Sequence, residues 1–452
     1  MSKPGTTTRR RFLDQSMRLL VLPALAGVGG ALSACVNNQN ATSGATGASG
    51  PALASIVTAG TTIPQTTVKF ALAPFVDNAL AVIGMIRGWF KDVGITIGPT
   101  PTGIKLDFGP SLAPLLTGDV DVGSGVPASI FQQLDNVHDV VNFALVASST
   151  NQAVFAQPGS SVRTLDDFMA AGDSFEVAAS KATAQLKGKK VAVTSDPSGR
   201  VWFDLVTSLG KLSASDMTVI TLADAEILNV ANAGGVDFAM PGGSFQIISL
   251  IQRGFKTVIS EKALLQNMTD DRRFQLVNHT SYLTTWKYYN EHYDTILRLS
   301  SVIYRIMNAI TSPDRFSYLN DELPWINANG GTTFAVDQLS IALDTLNNAN
   351  RNFEQTAELF HGTSVWNVYN AEQKQLDTLF QKGTLKKMHN VSEAEGGRKV
   401  YDDLVSLRAQ SEALLAKAGD GGNNADVLAA AKKQFAALNF LDSTRMLLSF
   451  VK

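Results

Sequence analysis

The feature that most constrains the fold is a unit that occurs twice. Residues 118–131 read GDVDVGSGVPASIF, and residues 234–248 read GGVDFAMPGGSFQII. In both copies a glycine precedes Val-Asp and a short apolar strand, and a Gly/Pro turn then leads into an apolar helix. Two such units in one chain predict two lobes of similar construction.

A regular alternation of strand and helix patterns surrounds each copy. The strand patterns lie at residues 68–74, 103–110, 119–127, 140–150, 153–160, 189–195, 217–222, 235–243 and 255–260. Helical patterns of moderate length separate most of them, which predicts right-handed crossovers and largely parallel sheets. Because open parallel sheets bind ligands beyond the carboxyl ends of their strands, we expect an α/β protein with a binding cleft between two lobes.

Composition excludes several classes of function. The chain has 452 residues and a formal net charge of −2, and the absence of Lys/Arg blocks beyond the N-terminus argues against nucleic acid as a partner. A single cysteine excludes an internal disulfide, a CxxC redox centre and any cysteine-based zinc or iron–sulfur site. The histidines show no HxH or HExxH spacing, so we expect neither a metal nor a cofactor.

The N-terminal 35 residues have the three parts of an export signal. Residues 8–13 (TRRRFL) resemble the twin-arginine export motif, and residues 32–35 (LSAC) resemble a bacterial lipobox, in which the cysteine is acylated. The alternative is an uncleaved membrane anchor, but the apolar run between the motifs is short for the roughly 20 residues that span a bilayer, and it contains Pro23. We expect a lipid anchor at Cys35, a periplasmic or outer-face location, and a flexible linker over residues 36–66.

The body of the chain resembles a known family. The segments that carry the resemblance are FALAPFVDNALAVIGMIRGWFKDVGI, LLTGDVDVGSGVPASI, LKGKKVAVTSDPSGRVWFDLV and NEHYDTILRLSSVIYRIMNAI. In order and spacing they are similar to the extracytoplasmic solute-binding proteins of ABC importers. The nearest group serves nitrate, aliphatic sulfonates, taurine and thiamine-pyrimidine precursors. The resemblance covers about residues 68–310 and implies the two-lobed type II periplasmic-binding-protein fold.

The resemblance also implies a domain organisation. Lobe 1 is expected from residues 67–158 and 275–311, and lobe 2 from residues 159–274. An insertion at residues 172–188 and a helical C-terminal region at residues 312–452 depart from the family. We expect the C-terminal region to pack on lobe 1 as structural padding, and the alternative is an additional interaction surface.

Four loops at the expected cleft supply candidate ligand-binding residues, through side chains and through backbone N–H groups at helix N-termini. The candidates are Phe75, Asn78, Ser124, Gly125, Ser195, Ser198, Arg200, Gly242 and Ser244. Asn78 either donates to a ligand or caps the following helix, and Arg200 either adds positive charge or is solvated. Trp202 and Phe245, just inside their helices, are expected in the core.

These features together predict a binding protein and not an enzyme, with a small solute and a membrane ABC permease as partners. Arg200 favours an anionic solute such as a sulfonate or nitrate, whereas the small and apolar loop residues suit a small heterocycle equally well. Two alternatives remain open. One is an enzyme on the same fold, disfavoured because the pyrimidine-synthesis relatives use cysteine and histidine and this chain has no cysteine after position 35. The other is a lipoprotein whose helical tail binds a partner protein.

Overall fold

The computed structural model of the chain describes residues 50–106, 112–330, 332–346 and 352–452. The predicted signal, Cys35 included, and the predicted linker up to residue 49 lie outside these ranges. The strands are β1 (Thr66–Leu72), β2 (Ile95–Gly98), β3 (Ile104–Lys105), β4 (Val122–Gly125), β5 (Val140–Ser149), β6 (Ala153–Ala156), β7 (Lys190–Thr194), β8 (Thr218–Leu222), β9 (Phe238–Met240), β10 (Lys256–Ser260) and β11 (Asn278–Thr285).

The helices of the first two thirds of the chain are α1 (Leu53–Ile56), α2 (Ala81–Ile86), α3 (Trp89–Asp92), α4 (Ala113–Leu116), α5 (Pro127–Phe131), α6 (Leu165–Ala170), α7 (Phe175–Ala184), α8 (Pro197–Leu209), α9 (Asp224–Asn232), α10 (Ser244–Gln252), α11 (Glu261–Asn267), α12 (Trp286–Glu291) and α13 (Tyr293–Ile310). Those of the C-terminal region are α14 (Arg315–Gly330), α15 (Val336–Leu346), α16 (Thr356–His361), α17 (Val368–Gln381), α18 (Gly397–Lys417), α19 (Ala425–Ala436) and α20 (Phe440–Leu448). None of the helices in the described ranges is long and apolar enough to cross a membrane.

The strands form two separate sheets. The first has the order β2-β1-β4-β11-β5, with the short β3 also paired to β1. Strand β1 runs parallel to β2, β3 and β4, whereas β11 runs antiparallel to β4 and β5. Strand β5 is buried at every position, as expected for a strand covered on both faces.

The second sheet has the order β10-β6-β9-β7-β8. Strand β7 runs parallel to β8 and β9, and β6 runs antiparallel to β9 and β10. The sequence analysis placed Ala153–Ala156 in lobe 1, and this is wrong, because β6 hydrogen-bonds within the second sheet. A four-residue apolar run carries no signal that distinguishes the end of one sheet from the start of the next. The chain therefore passes from the first sheet to the second between Ser149 and Ala153, and it returns between Ser260 and Asn278.

Helix α13 is the centre of the larger core. Its apolar positions predict an amphipathic helix, yet fifteen of its eighteen residues are buried. The reason is that α13 contacts β5 on one side, and α14, α18 and α20 of the C-terminal region on others. The C-terminal helices thus cover a surface that would otherwise be exposed.

The C-terminal region packs on both lobes, whereas the sequence analysis placed it on lobe 1 and did not foresee its contacts with lobe 2. The Phe334 ring stacks on Phe245 of α10, with 3.9 Å between ring centroids and 14° between ring planes. Lys382 pairs with Asp204 of α8 at 3.3 Å. Because α8 and α10 flank the second sheet, these contacts tie the C-terminal region to lobe 2.

The described end of the predicted linker is also packed against the body. Arg445 of α20 donates from Nη2 to the carbonyl oxygen of Ile56 at 2.7 Å, and the Gly60 N–H donates to the Arg445 carbonyl oxygen at 3.0 Å. Leu53 and Ile56 pack against the larger core. The expectation of a flexible linker through residue 66 is therefore wrong for residues 53–60, which are held by residues far away in sequence.

Candidate functional site

Residues from both sheets meet in a cleft that contains two neighbouring cavities. The inner cavity, about 40 Å³, lies beside the two segments that connect the sheets, residues 149–153 and 260–278, which we call the first and second crossings. It is lined by Phe75, Asp77, Asn78, Val126, Ser149, Asn151, Asp196, Ser198, Gly242, Ser244, Asn278 and Thr280. The lining thus includes residues of the first sheet, the second sheet and the crossings between them.

The outer cavity is larger, about 380 Å³, and shares Phe75 and Asp196 with the inner one. It is lined by Pro74, Phe75, Lys105, Leu106, Thr194, Ser195, Asp196, Ala223, Asp224, Ala225, Phe245, Gln246, Asn329, Gly330 and Thr332. The last three belong to α14 and the segment that follows it, so the C-terminal region contributes one wall. Its volume falls within the range of small-molecule sites.

The turn after β1 places a carboxylate and an amide in the cleft. Asp77 is buried and accepts hydrogen bonds from Thr280 Oγ1 at 2.5 Å and from Asn78 Nδ2 at 3.1 Å. Burial raises the pKa of Asp77 above its usual range, although both hydrogen bonds oppose the shift. Asn78 is 3% exposed, and its Oδ1 has no hydrogen-bond partner. The N-cap residue of α2 is Leu80, and no side chain caps the helix, so the alternative that Asn78 caps it is wrong.

The turn after β7 places a second carboxylate opposite the first. Asp196 caps α8: its Oδ1 accepts from the Ser198 N–H at 2.9 Å and from Ser198 Oγ at 3.0 Å. Ser198 Oγ also accepts from Gln152 Nε2 at 3.1 Å, which links α8 to the first crossing. Burial raises the pKa of Asp196 to about 6, and the charges of Asp224 and Asp77 act in the same direction.

Two further buried carboxylates, those of Asp224 and Glu261, accept hydrogen bonds beside the cleft. Asp224, at the first residue of α9, accepts from the Gly242 N–H at 3.0 Å, and burial raises its pKa. Glu261 begins the second crossing, and it accepts from the Gln152 N–H of the first crossing at 2.9 Å and from Asn278 Nδ2 at 3.1 Å. Burial raises the pKa of Glu261 to about 8. Glu261 thus joins the two segments that connect the sheets.

Six of the nine predicted site residues line the cleft. Phe75, Asn78, Ser198, Gly242 and Ser244 line the inner cavity, and Ser195 lines the outer one.

The other three predicted residues have different surroundings. Ser124 is buried in β4, where its Oγ accepts from the Ala73 N–H at 2.9 Å, and Gly125 pairs with Ser281 of β11. Arg200 points away from the cleft, because its Nε pairs with Asp204 at 3.1 Å along α8 and its side chain is 61% exposed. Arg200 instead lines a separate cavity of about 260 Å³. The alternative that Arg200 is solvated fits this position.

Several site residues were missed by the sequence analysis. Asp77 and Asp196 stand in segments quoted for the resemblance but were not selected as site residues. Phe245 lies in the larger core as expected, at 5% exposure, but it also lines the outer cavity and stacks on Phe334, which the sequence analysis did not predict. Asn329 and Thr332 are more than eighty positions downstream of the second lobe's last cleft loop, and no local pattern indicates that they return to it.

Comparison with known proteins gives a fold but no sequence family. No protein-family model matches the chain, and no curated protein matches it in sequence. Among solved structures, a sulfonate-binding SsuA from Methylobacillus flagellatus KT has a TM-score of 0.54 at 13% identity, over 76% of this chain and 95% of that one. The alkanesulfonate-binding SsuA from Xanthomonas axonopodis pv. citri, bound to MOPS, gives 0.51 at 15% identity, over 74% and 99%. The nitrate-binding NrtA from Synechocystis PCC 6803 gives 0.53 at 12% identity, over 76% and 89%.

These similarities define the class of fold. The chain has the two-lobed α/β fold of the periplasmic solute-binding proteins, with a long helical C-terminal region, as the sequence predicted. The resemblance to the solute-binding proteins of ABC importers is thereby confirmed at the level of fold. At identities of 10–15% the fold does not carry a substrate with it.

Proposed function

We propose that this protein is the substrate-binding component of an ABC import system, which captures a small solute between its lobes and delivers it to a membrane permease. The observation that carries the proposal is the composition of the cleft. Its lining comes from loops of both sheets, from the crossings between them and from the C-terminal region. A solute held there contacts every part of the molecule that would separate on opening.

The mechanism follows from this arrangement. A ligand that contacts both lobes stabilises the closed state relative to the open one, by its difference in affinity for the two. The turn after β1 supplies Phe75, Asp77 and Asn78 from one side, and the turns that begin α8 and α10 supply Ser198 and Ser244 from the other. No bond is made or broken in this process. The proposal is therefore a binding protein and not an enzyme.

The N-terminal motifs fit the same proposal. Twin-arginine export and acylation at Cys35 would place the body outside the cell and tether it to a membrane beside a permease. Such an anchor restricts the search for the permease to the membrane surface. Substituting Cys35→Ala tests it, because the variant should be released from the membrane fraction.

The binding step is tested by retention of a solute. The full chain, purified in detergent, is incubated with a small-molecule extract of its source cells, washed, and unfolded, and the released compounds are identified by mass spectrometry. Gly242→Val adds a side chain at the inner cavity, where a Cβ has ordinary contacts only, with Thr194 Cγ2 at 3.4 Å. Gly60→Val, in a loop where a Cβ meets nothing within 4 Å, is the matched control.

We expect one compound to be enriched by the wild type and by Gly60→Val, and lost in Gly242→Val. Retention that is equal in all three proteins would contradict binding in the cleft, and enrichment of nothing by the wild type would contradict the proposed function.

A further inference from the structure

The cleft is lined by carboxylates from three different loops. Asp77 follows β1, Asp196 precedes α8, and Asp224 begins α9. Among the described lining residues, Lys105 is the one basic side chain of the outer cavity, and the inner cavity has none. Arg200, on which the expectation of an anionic solute depended, lies outside both cavities. An oxyanion in this cleft would face like charges on two sides.

A buried acceptor in the inner cavity points to the same chemistry. Asn78 donates from Nδ2 to the carboxylate of Asp77. The other polar atom of its side chain is Oδ1, which can only accept a hydrogen bond. This oxygen is buried and has no partner in the protein. An unpartnered buried acceptor is costly, and a ligand N–H group that donates to it removes the cost. An oxyanion, which only accepts, cannot do so.

Electrostatic repulsion among the carboxylates supports the same chemistry. The negative charges of Asp224 and Asp77 both disfavour ionisation of Asp196. A further anion would add to this repulsion, whereas a cation between the carboxylates would relieve it and favour their ionised forms.

We propose that the solute is an organic cation with N–H donors, such as an amidine, a guanidine or an amine. This inference rests on the proposed function and specifies its substrate class. In the closed protein the cationic group lies between Asp77 and Asp196 and donates to Asn78 Oδ1, while Phe75 and Phe245 contact the apolar part of the solute.

The test compares probes of the same shape and different charge. Benzamidinium, benzamide and benzoate, together with benzenesulfonate, are titrated into the full chain in detergent by isothermal calorimetry. Asp196→Asn removes one charge and keeps the helix cap, since asparagine is an equally good N-terminal residue. Asp166→Asn makes the same change in charge at an exposed position in the first turn of α6 and is the matched control.

We expect benzamidinium alone to bind, and to bind about tenfold more weakly to Asp196→Asn than to the wild type or to Asp166→Asn. Equal weakening by both variants, or none by Asp196→Asn, would overturn the inference. Binding of benzenesulfonate or benzoate that becomes tighter in Asp196→Asn would also overturn it, while leaving the proposed function in place.

The pH dependence of benzamidinium binding provides a second test. Among the residues that the structure describes, three carboxyl groups act electrostatically on Asp196, those of Asp77, Asp224 and Glu261, and Lys105 of β3 lines the outer cavity with it. Because Asp196 becomes protonated as the pH falls through about 6, benzamidinium affinity should fall between pH 7 and pH 5 in the wild type, and change less in Asp196→Asn. An affinity that rises over this interval would contradict the inference.

If none of the four probes binds, the charge of the compound retained from the cell extract tests the inference instead. A retained cation supports the inference and a retained anion overturns it. If nothing is retained and no probe binds, the inference and the proposed function both fail.

Discussion

The contact between the C-terminal region and lobe 2 offers a quantitative prediction. Phe334 is half-buried and stacks on Phe245 with 3.9 Å between ring centroids. A stacked aromatic pair contributes about 0.5–1.5 kcal/mol beyond the area that it buries, so the loss of stacking alone in Phe334→Ala should cost about 1 kcal/mol. If lobe 2 leaves the C-terminal region when the cleft opens, that loss falls on the closed state alone. The ratio of closed to open molecules then falls about fivefold.

Amide hydrogen exchange measures this ratio locally. The first turn of α10, which begins at Ser244 and contains Phe245, should exchange about fivefold faster in Phe334→Ala, while β5 in the first sheet stays protected. Phe316→Ala on α14 removes a ring that is 46% exposed, and it should leave exchange in α10 unchanged. Unchanged exchange in Phe334→Ala, or an equal increase throughout the molecule, would refute the idea that this stack holds the lobes together.

Three other predictions concern pH, a buried hydroxyl and the N-terminal segment. Folding raises the pKa of Glu261 from 4.5 to about 8, so between these pH values the folded state holds a proton that the unfolded state has released. The free energy of unfolding should therefore fall by up to about 5 kcal/mol as the pH rises from about 5 to 8. Urea titrations of Glu261→Gln should show a smaller fall over the same pH range. The buried Ala81 N–H donates to the Tyr282 hydroxyl at 2.9 Å, and Tyr282→Phe leaves this N–H without that partner. The variant should lower the free energy of unfolding by about 1–3 kcal/mol in the same assay, and no change would contradict the contact. Arg445→Ala removes both hydrogen bonds to the Ile56 carbonyl oxygen and should speed proteolysis near residue 56, whereas equal rates of cleavage would show that other contacts hold the segment.

Local patterns were sufficient for the fold and for six of the residues that line the cleft. Strands and helices in the body follow from apolar periodicity, and the four loops follow from the rule that ligands bind beyond the carboxyl ends of strands. Phe75, Ser198 and Gly242 line the cleft for this reason. The ligand contacts of these residues stay predictions.

The failures share a cause, which is dependence on contacts distant in sequence. Whether Ala153–Ala156 joins the first or the second sheet depends on its partners β9 and β10, which come some eighty or more residues later. Ser124 was selected for its loop, but its hydroxyl is used by Ala73 of the neighbouring strand. Arg200 is the exception, because the residue that pairs with it, Asp204, lies only one helical turn further on. Asp77 and Asp196 form one site only because the fold brings them to the same cavity, so neither could be selected from its own loop.

A distance measurement between the lobes tests the central claim most directly. Spin labels are placed by Lys91→Cys on α3 and Asn229→Cys on α9, both exposed, in a chain whose single native cysteine is replaced by Cys35→Ser. Pulsed dipolar spectroscopy then gives the distribution of distances with and without the compound identified by retention. The account predicts a shorter and narrower distribution when the compound is bound, and the same distribution as without compound for Gly242→Val. A distribution that the compound leaves unchanged in the wild type would contradict capture by closure of the two lobes.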